Sequence, residues 1–189
     1  MTAEALIGGF ETPALQSARA FRAVLEALAR PGTIHAVADA TPPAPLSVAA
    51  GVALLTLVDT TTPLHLAGDA DCQTVRDWVA FHIGAPLVAV EAADFAVGTW
   101  DALHPVSRFR IGAPDYPDRS ATLIVEMDRL ANDGPTLTGP GIATSARLTL
   151  PETAAFAANH ALFPLGFDVL FTCGDRIAGL PRSTRVEAI

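Results

Sequence analysis

The sequence predicts a layered α/β fold built on a mixed sheet. Helical and strand patterns alternate along most of the 189 residues, an order that stacks helices on a sheet. The strand patterns are short and apolar, as in residues 121–127, where β-branched and apolar side chains dominate. Two apolar runs, residues 167–171 and 177–180, flank Cys173-Gly174-Asp175-Arg176. They read as a hairpin, and an antiparallel pair makes the sheet mixed.

Each element follows from its residues. Thr12 caps the first helix and Pro13 suits its first position. Leu15, Ala18, Phe21, Leu25 and Leu28 recur at steps of three and four, one apolar stripe with Arg19, Arg22 and Glu26 mostly outside it. Arg30-Pro31-Gly32 stops the helix, because Pro31 lacks a donor and Gly32 tolerates the turn. Residues 33–37 then read as a strand. A helix over 46–57 is apolar nearly all round and therefore buried. Residues 59–63 turn, 64–66 form a short strand, and 72–82 form a helix that Gly84 and Pro86 terminate. Residues 87–90 read as a buried strand, while 94–103 fit either pattern. Strands over 121–127 and 146–150 follow. Pro151 opens a helix that Pro164 ends, with Phe156, Asn159 and Phe163 on one face. The Pro-rich loop at 41–45 comes too early to divide the chain, so residues 1–189 are expected to form one domain.

Composition removes several function classes. Half the residues are apolar, which suits a packed core rather than disorder. The net charge is −8 and the basic residues are scattered, a poor basis for binding nucleic acid or an anionic membrane. All 12 basic residues are Arg. Without Lys there is no side-chain amine for a pyridoxal-phosphate Schiff base, and no Walker A lysine. A GC-rich genome also yields such a composition, but the chemical exclusion holds whatever its origin. Two cysteines, Cys72 and Cys173, read as reduced thiols. The first residues lack a basic segment before an apolar run, and the longest apolar stretch, 48–58, is too short to cross a bilayer. The expected location is the cytoplasm.

Candidate sites are few. The five histidines, His35, His65, His82, His104 and His160, show no ligand-type spacing, so no metal site is expected. There is no Gly-x-Ser-x-Gly elbow, and neither cysteine has a flanking residue that marks a thiolate. No catalytic residue can be named. The Thr138-Gly139-Pro140-Gly141-Ile142 turn lets backbone approach a ligand through Gly139 and Gly141, although Pro140 offers no N–H. Asn159 is expected to be partly buried and hydrogen-bonded. Asp168, at the mouth of an apolar strand, needs a partner such as an Arg. Arg182 and Arg185 lie beside hydroxyl residues near the end, a composition suited to an anion or a partner's carboxylate. In an extended segment they face opposite ways, with Arg182 inward toward Asp168. Arg30 completes the anion- or partner-binding candidates.

An ordered series of segments resembles one family. It runs through Gly9-Phe10, Phe21-Arg22, Arg30-Pro31-Gly32, Leu57-Val58-Asp59 and Thr62-Pro63-Leu64. It continues through Phe81-His82-Ile83-Gly84-Ala85-Pro86, Ala93-Asp94-Phe95, Tyr116-Pro117-Asp118-Arg119-Ser120-Ala121-Thr122 and Leu137-Thr138-Gly139-Pro140-Gly141-Ile142. It closes with Asn159, Phe163-Pro164-Leu165-Gly166-Phe167-Asp168 and Leu180-Pro181-Arg182-Ser183-Thr184-Arg185. The family it resembles is the phosphonate metabolism protein PhnH, a component of the bacterial carbon–phosphorus lyase complex. Ile83 and Ser183 depart from it where Thr is expected.

The resemblance implies a three-layer αβα sandwich with a mixed sheet, similar to pyridoxal-phosphate-dependent transferases but without the cofactor. It implies carbon–phosphorus lyase subunits G, I and J as partners. A homodimer is expected when those partners are absent, because a subunit has an apolar patch to cover. The resemblance also implies a role in displacing adenine from MgATP, a substrate of the whole complex, by an alkylphosphonate. The product is alpha-D-ribose 1-methylphosphonate 5-triphosphate. The chemistry falls chiefly to the I component, so this chain is expected to be non-catalytic. Two other readings compete with it. One is a stand-alone enzyme for a phosphate or nucleotide ligand, using Arg30, Arg182 and the Gly139–Gly141 turn. The other is a small-molecule sensor on a transferase-like fold.

Overall fold

Pro13 opens the first helix, α1 (Pro13–Ala29), in a computed structural model that describes residues 6–187. The expected start is correct, but Thr12 does not cap through its side chain. Instead its N–H donates to Gln16 Oε1 at 2.6 Å, so the helix reaches back to its own first turn. The apolar stripe requires a larger correction. Leu15, Phe21 and Leu25 are 64%, 50% and 53% exposed, while the buried face is Ala20, Val24 and Ala27. Close packing explains this. A Cβ placed on Gly179 would meet the Ala27 carbonyl at 2.7 Å. Where the helix crosses Gly179 only small side chains fit, so Leu15, Phe21 and Leu25 face away, while Leu28 of the expected stripe packs against the core.

After β1 (His35–Ala36) comes α2 (Val48–Leu57). Ser47 caps it by accepting the Ala50 N–H at 3.1 Å, and residues 49–54 are buried. This fits a helix apolar on nearly every side. β2 (Leu64–Leu66) leads to α3 (Gln73–His82), for which Cys72 is the N-cap residue. The strand expected at 87–90 shrinks to one parallel bridge between Leu87 and Leu64. Only Pro86 O and Val88 N bond to Leu64 before a tight 3₁₀ turn takes over at Val90–Ala92. Residues 94–103, which fitted both patterns, contain both. β3 (Phe95–Thr99) runs directly into a single helical turn, α4 (Trp100–Leu103), capped by Thr99.

β4 (Ile111–Ala113) and β5 (Tyr116–Ser120) form a small hairpin that the sequence patterns had not indicated. β6 (Thr122–Glu126) is followed by β7 (Thr136–Thr138) and β8 (Ala146–Arg147). The strand expected to reach residue 150 stops at Arg147. The last helix, α5 (Ala154–Ala161), is likewise shorter than Pro151 and Pro164 had implied. Phe163 therefore leaves the helical face and is 57% exposed. The expected hairpin is present as β9 (Asp168–Cys173) and β10 (Arg176–Leu180), and β11 (Arg185–Glu187) ends the described chain.

The main sheet is mixed, with order β1-β10-β9-β6-β3-β2. β2, β3, β6 and β9 are parallel, and β10 is antiparallel to both of its neighbours. One face carries Val97, Ile124, Leu170 and Ile177 in a core shared with α1, α2 and α3. The other carries Leu123, Val125, Val169 and Phe171 against Trp100, Leu103, Phe156, Leu137 and Val186. That second outer layer combines α4 and α5 with a three-stranded sheet of order β11-β7-β8. Phe95, Thr122 and Asp168 are in register at the amino ends of the parallel strands. Thr99, Glu126 and Thr172 are in register at the opposite edge.

Candidate functional site

The amino edge of the sheet carries the densest polar network. Asn159, 6% exposed at the end of α5, clamps the chain entering β9. Its Oδ1 accepts the Phe167 N–H at 2.9 Å and its Nδ2 donates to the Phe167 carbonyl at 2.8 Å. Both polar backbone groups of a buried residue are thereby satisfied. The next residue is Asp168. Arg182 Nη2 lies 2.5 Å from Asp168 Oδ2 and Nε lies 3.1 Å from Oδ1, a forked charge-assisted pair. The backbone N–H of Arg182 adds a third bond to Oδ1 at 2.8 Å.

Arg182 also anchors the hairpin. Its Nη1 donates to the Pro117 carbonyl at 2.7 Å and its Nη2 donates to Ser120 Oγ. The two side chains of the pair are 12% and 26% exposed. A ring nitrogen of His160 lies 3.1 Å from the Arg182 carbonyl. The segment carrying Arg182 is not a strand. Thr184 N–H turns back to the Pro181 carbonyl at 2.9 Å, and β11 begins only at Arg185. Arg182 and Arg185 are therefore separated by a turn rather than by strand alternation.

The other expected residues gather elsewhere. Gly141 has φ +81, and a Cβ there would sit 1.9 Å from the Ala29 carbonyl oxygen. Only glycine lets this turn press against the end of α1. A Cβ on Gly139 would come 3.1 Å from the Ser183 carbonyl. The turn thus lies between the end of α1 and the start of β11. Its Ile142 N–H is spent on the Gly139 carbonyl. Arg30 is exposed and pairs with Glu26 at 3.3 Å. Arg185 is exposed on β11, opposite Thr138. Thr184 beside it is 2% exposed, and its hydroxyl has no partner among the described residues.

A third place was not singled out as a site from the sequence. A cleft of about 590 Å³ lies between the amino ends of β3 and β6 and the β4–β5 hairpin, lined by Thr62, Asp94, Arg110, Asp118, Arg119 and Thr122. Arg110 pairs with Asp94 through Nη2. The Arg119 guanidinium lies 4.1 Å over the Tyr116 ring. The Asp94 and Tyr116–Thr122 segments carried the family resemblance, but nothing in the pattern marked Arg110.

Among the described residues, Glu126 is the carboxylate whose pKa burial raises. It accepts the Ser47 N–H at 2.7 Å and the Thr172 hydroxyl at 3.0 Å. Burial pushes its pKa up, and the bonds from Ser47 and Thr172 oppose that rise. Its place at the start of α2 is structural. Among the described residues, no three His, Cys, Asp or Glu side chains group as a metal set would. No helix among them is long and apolar enough to cross a membrane.

The profile of the bacterial phosphonate metabolism proteins, PhnH, matches residues 8–187. The chain belongs to the PhnH family. The alpha-D-ribose 1-methylphosphonate 5-triphosphate synthase subunit PhnH of Rhizobium meliloti (strain 1021) is 36% identical, covering 99% of both chains. HtxG of Stutzerimonas stutzeri, named for a C-P lyase subunit, is 30% identical over 98% of this chain and 92% of its own. The Asp168–Arg182 network, the Gly139–Gly141 turn and the charged cleft all lie within the part of the chain that defines PhnH membership.

Proposed function

We propose that this chain is a subunit of a carbon–phosphorus lyase assembly, the alpha-D-ribose 1-methylphosphonate 5-triphosphate synthase. In that assembly it supports displacement of adenine from MgATP by an alkylphosphonate. The observation that carries this reading is the match of nearly the whole chain to the PhnH family and to a relative named as that subunit. The partners are subunits G, I and J, and the setting is the cytoplasm. The fold is a cofactor-free relative of the pyridoxal-phosphate transferases, a reading that the absence of Lys supports. The subunit is read as non-catalytic, since the sequence offers no nucleophile–base pair and no metal set groups among the described residues.

Within this reading, Asn159, Asp168 and Arg182 form the scaffold. Arg30, Gly139, Gly141 and Arg185 form the surface offered to an anion or a partner carboxylate. When the partners are absent, a homodimer covers the apolar outer face of α1, where Leu15, Phe21 and Leu25 are exposed. The deciding experiment is affinity purification of the tagged chain from cells starved of phosphate and fed methylphosphonate. Co-purification of G, I and J at fixed stoichiometry is expected, as is failure of a deletion strain to grow on methylphosphonate until the gene is restored. Adenine release from ATP and methylphosphonate by the isolated, contaminant-free chain would overturn the non-catalytic assignment.

A further inference from the structure

The charged cleft at the amino edge of the sheet has chemistry that the subunit role leaves unused. Arg119 rests its flat face on Tyr116, 4.1 Å from the ring centre. A stacked guanidinium keeps its in-plane N–H donors free, and Arg119 makes no hydrogen bond among the described residues. Arg110, which lines the same cleft, commits Nη2 to Asp94. Two arginines lining one space suit the oxygens of a phosphate or phosphonate. Asp118 is the counterweight: it is exposed, lines the same cleft and has no ion-pair partner among the described residues. A bare anion would be repelled by it. A ligand that also carries sugar hydroxyls would instead donate to it, because an ionised carboxylate only accepts. The volume of about 590 Å³ is in the range of small-molecule sites.

We infer that this cleft binds a phosphorylated pentose, with the phosphorus oxyanion on Arg119 and Arg110 and ring hydroxyls on Asp118. The sugar-phosphate class rests on the subunit reading above, through a relative whose name is that of a ribose triphosphate synthase subunit. Arg182 is a positioning residue for this site. It holds Pro117 and Ser120, the residues on either side of Asp118-Arg119, and so fixes where both side chains emerge.

The test is calorimetric titration of the isolated full chain with ribose 5-phosphate, ribose and inorganic phosphate. Ribose 5-phosphate should bind at least about tenfold more tightly than either fragment, as expected when charged hydrogen bonds add to hydroxyl contacts. Arg119→Ala should weaken it by about tenfold or more with an unchanged melting temperature. Asp118→Asn should weaken ribose 5-phosphate and leave inorganic phosphate unchanged or tighter. Three results would each overturn the inference: no binding at millimolar ribose 5-phosphate, equal affinity for phosphate and ribose 5-phosphate, or undiminished binding by Arg119→Ala. Co-purification of the wild-type chain with the other subunits is measured in parallel. An assembling protein with an inert cleft sinks the ligand assignment alone, and a binding cleft in a chain that never assembles sinks the subunit reading alone.

Discussion

Truncating Arg182 to Ala removes four side-chain hydrogen bonds at once. Two go to Asp168 at 2.5 and 3.1 Å, one goes to the Pro117 carbonyl at 2.7 Å, and one goes to Ser120. Asp168 then keeps only the backbone N–H of residue 182. Removing one member of a buried ion pair costs about 3–5 kcal/mol, because the other charge is left without compensation. The Asp168 side chain is 26% exposed, so water re-solvates it in part and the expected loss is at the lower end, about 3 kcal/mol. For a chain of this length that corresponds to a melting temperature lower by about 6–12 °C. Arg182→Lys keeps the charge but not the fork, and should fall between Ala and wild type. A double-mutant cycle with Asp168→Ala isolates the pair, and coupling of about 1–3 kcal/mol is expected. Amide exchange in β4 and β5 should rise in Arg182→Ala, because their anchor is gone. A melting temperature within about 2 °C of wild type would refute the reasoning, since no buried charge would then have been left unpaired.

Burial raises the pKa of Glu126, so the folded protein holds this proton more tightly than the unfolded chain. Its stabilising contribution is therefore complete below the unfolded pKa and is lost as pH rises through the folded one. Glu126→Gln can still accept from Ser47 and remain bonded to Thr172, so it should match or exceed wild-type stability at pH 7 and flatten the stability profile across that window, as measured by urea unfolding at several pH values. A steeper profile in the variant would contradict this. Val24 is 2% exposed and Leu25 is 53% exposed. Val24→Ala should cost about 1–2.5 kcal/mol and Leu25→Ala less than about 0.5 kcal/mol in the isolated monomer, and the reverse order would mean that α1 is rotated. Gly179→Ala forces α1 away from β10 and should cost about 1–3 kcal/mol by overpacking, read by the same unfolding assay.

The architecture was legible where burial left a simple pattern. Residues 48–57 are apolar on every side because α2 is enclosed, and the Cys173–Arg176 turn announced the β9–β10 hairpin through its Gly and Asp. Pattern misled at α1 for a physical reason. Periodicity finds an apolar face, but it does not say whether that face meets the protein's own sheet or something outside it. Ala27 meets Gly179, the buried face is Ala20, Val24 and Ala27, and small residues contribute little to a hydrophobic stripe. The 87–90 run failed similarly: it is apolar, but its pairing with β2 stops after one bridge.

The candidate site divides along the same line between local and distant information. Asn159 and Asp168 were readable because a buried polar group in an apolar segment demands a partner wherever it lies. Their partners, Phe167 and Arg182, are close in sequence. The charged cleft depends on strand register instead. Phe95, Thr122 and Asp168 come into line only when three parallel strands pair, and the crossovers between them bring Asp94, Arg110 and Arg119 to one edge. Arg110 carries no local signal because its role is set entirely by Asp94, a residue from another strand's start. The Tyr116–Ser120 segment is then the link between the two regions. Its Pro117 and Ser120 are tied to Arg182, the Asp118 and Arg119 between them line the cleft, and any change that loosens the Asp168 pair must also displace the groups that would meet a ligand.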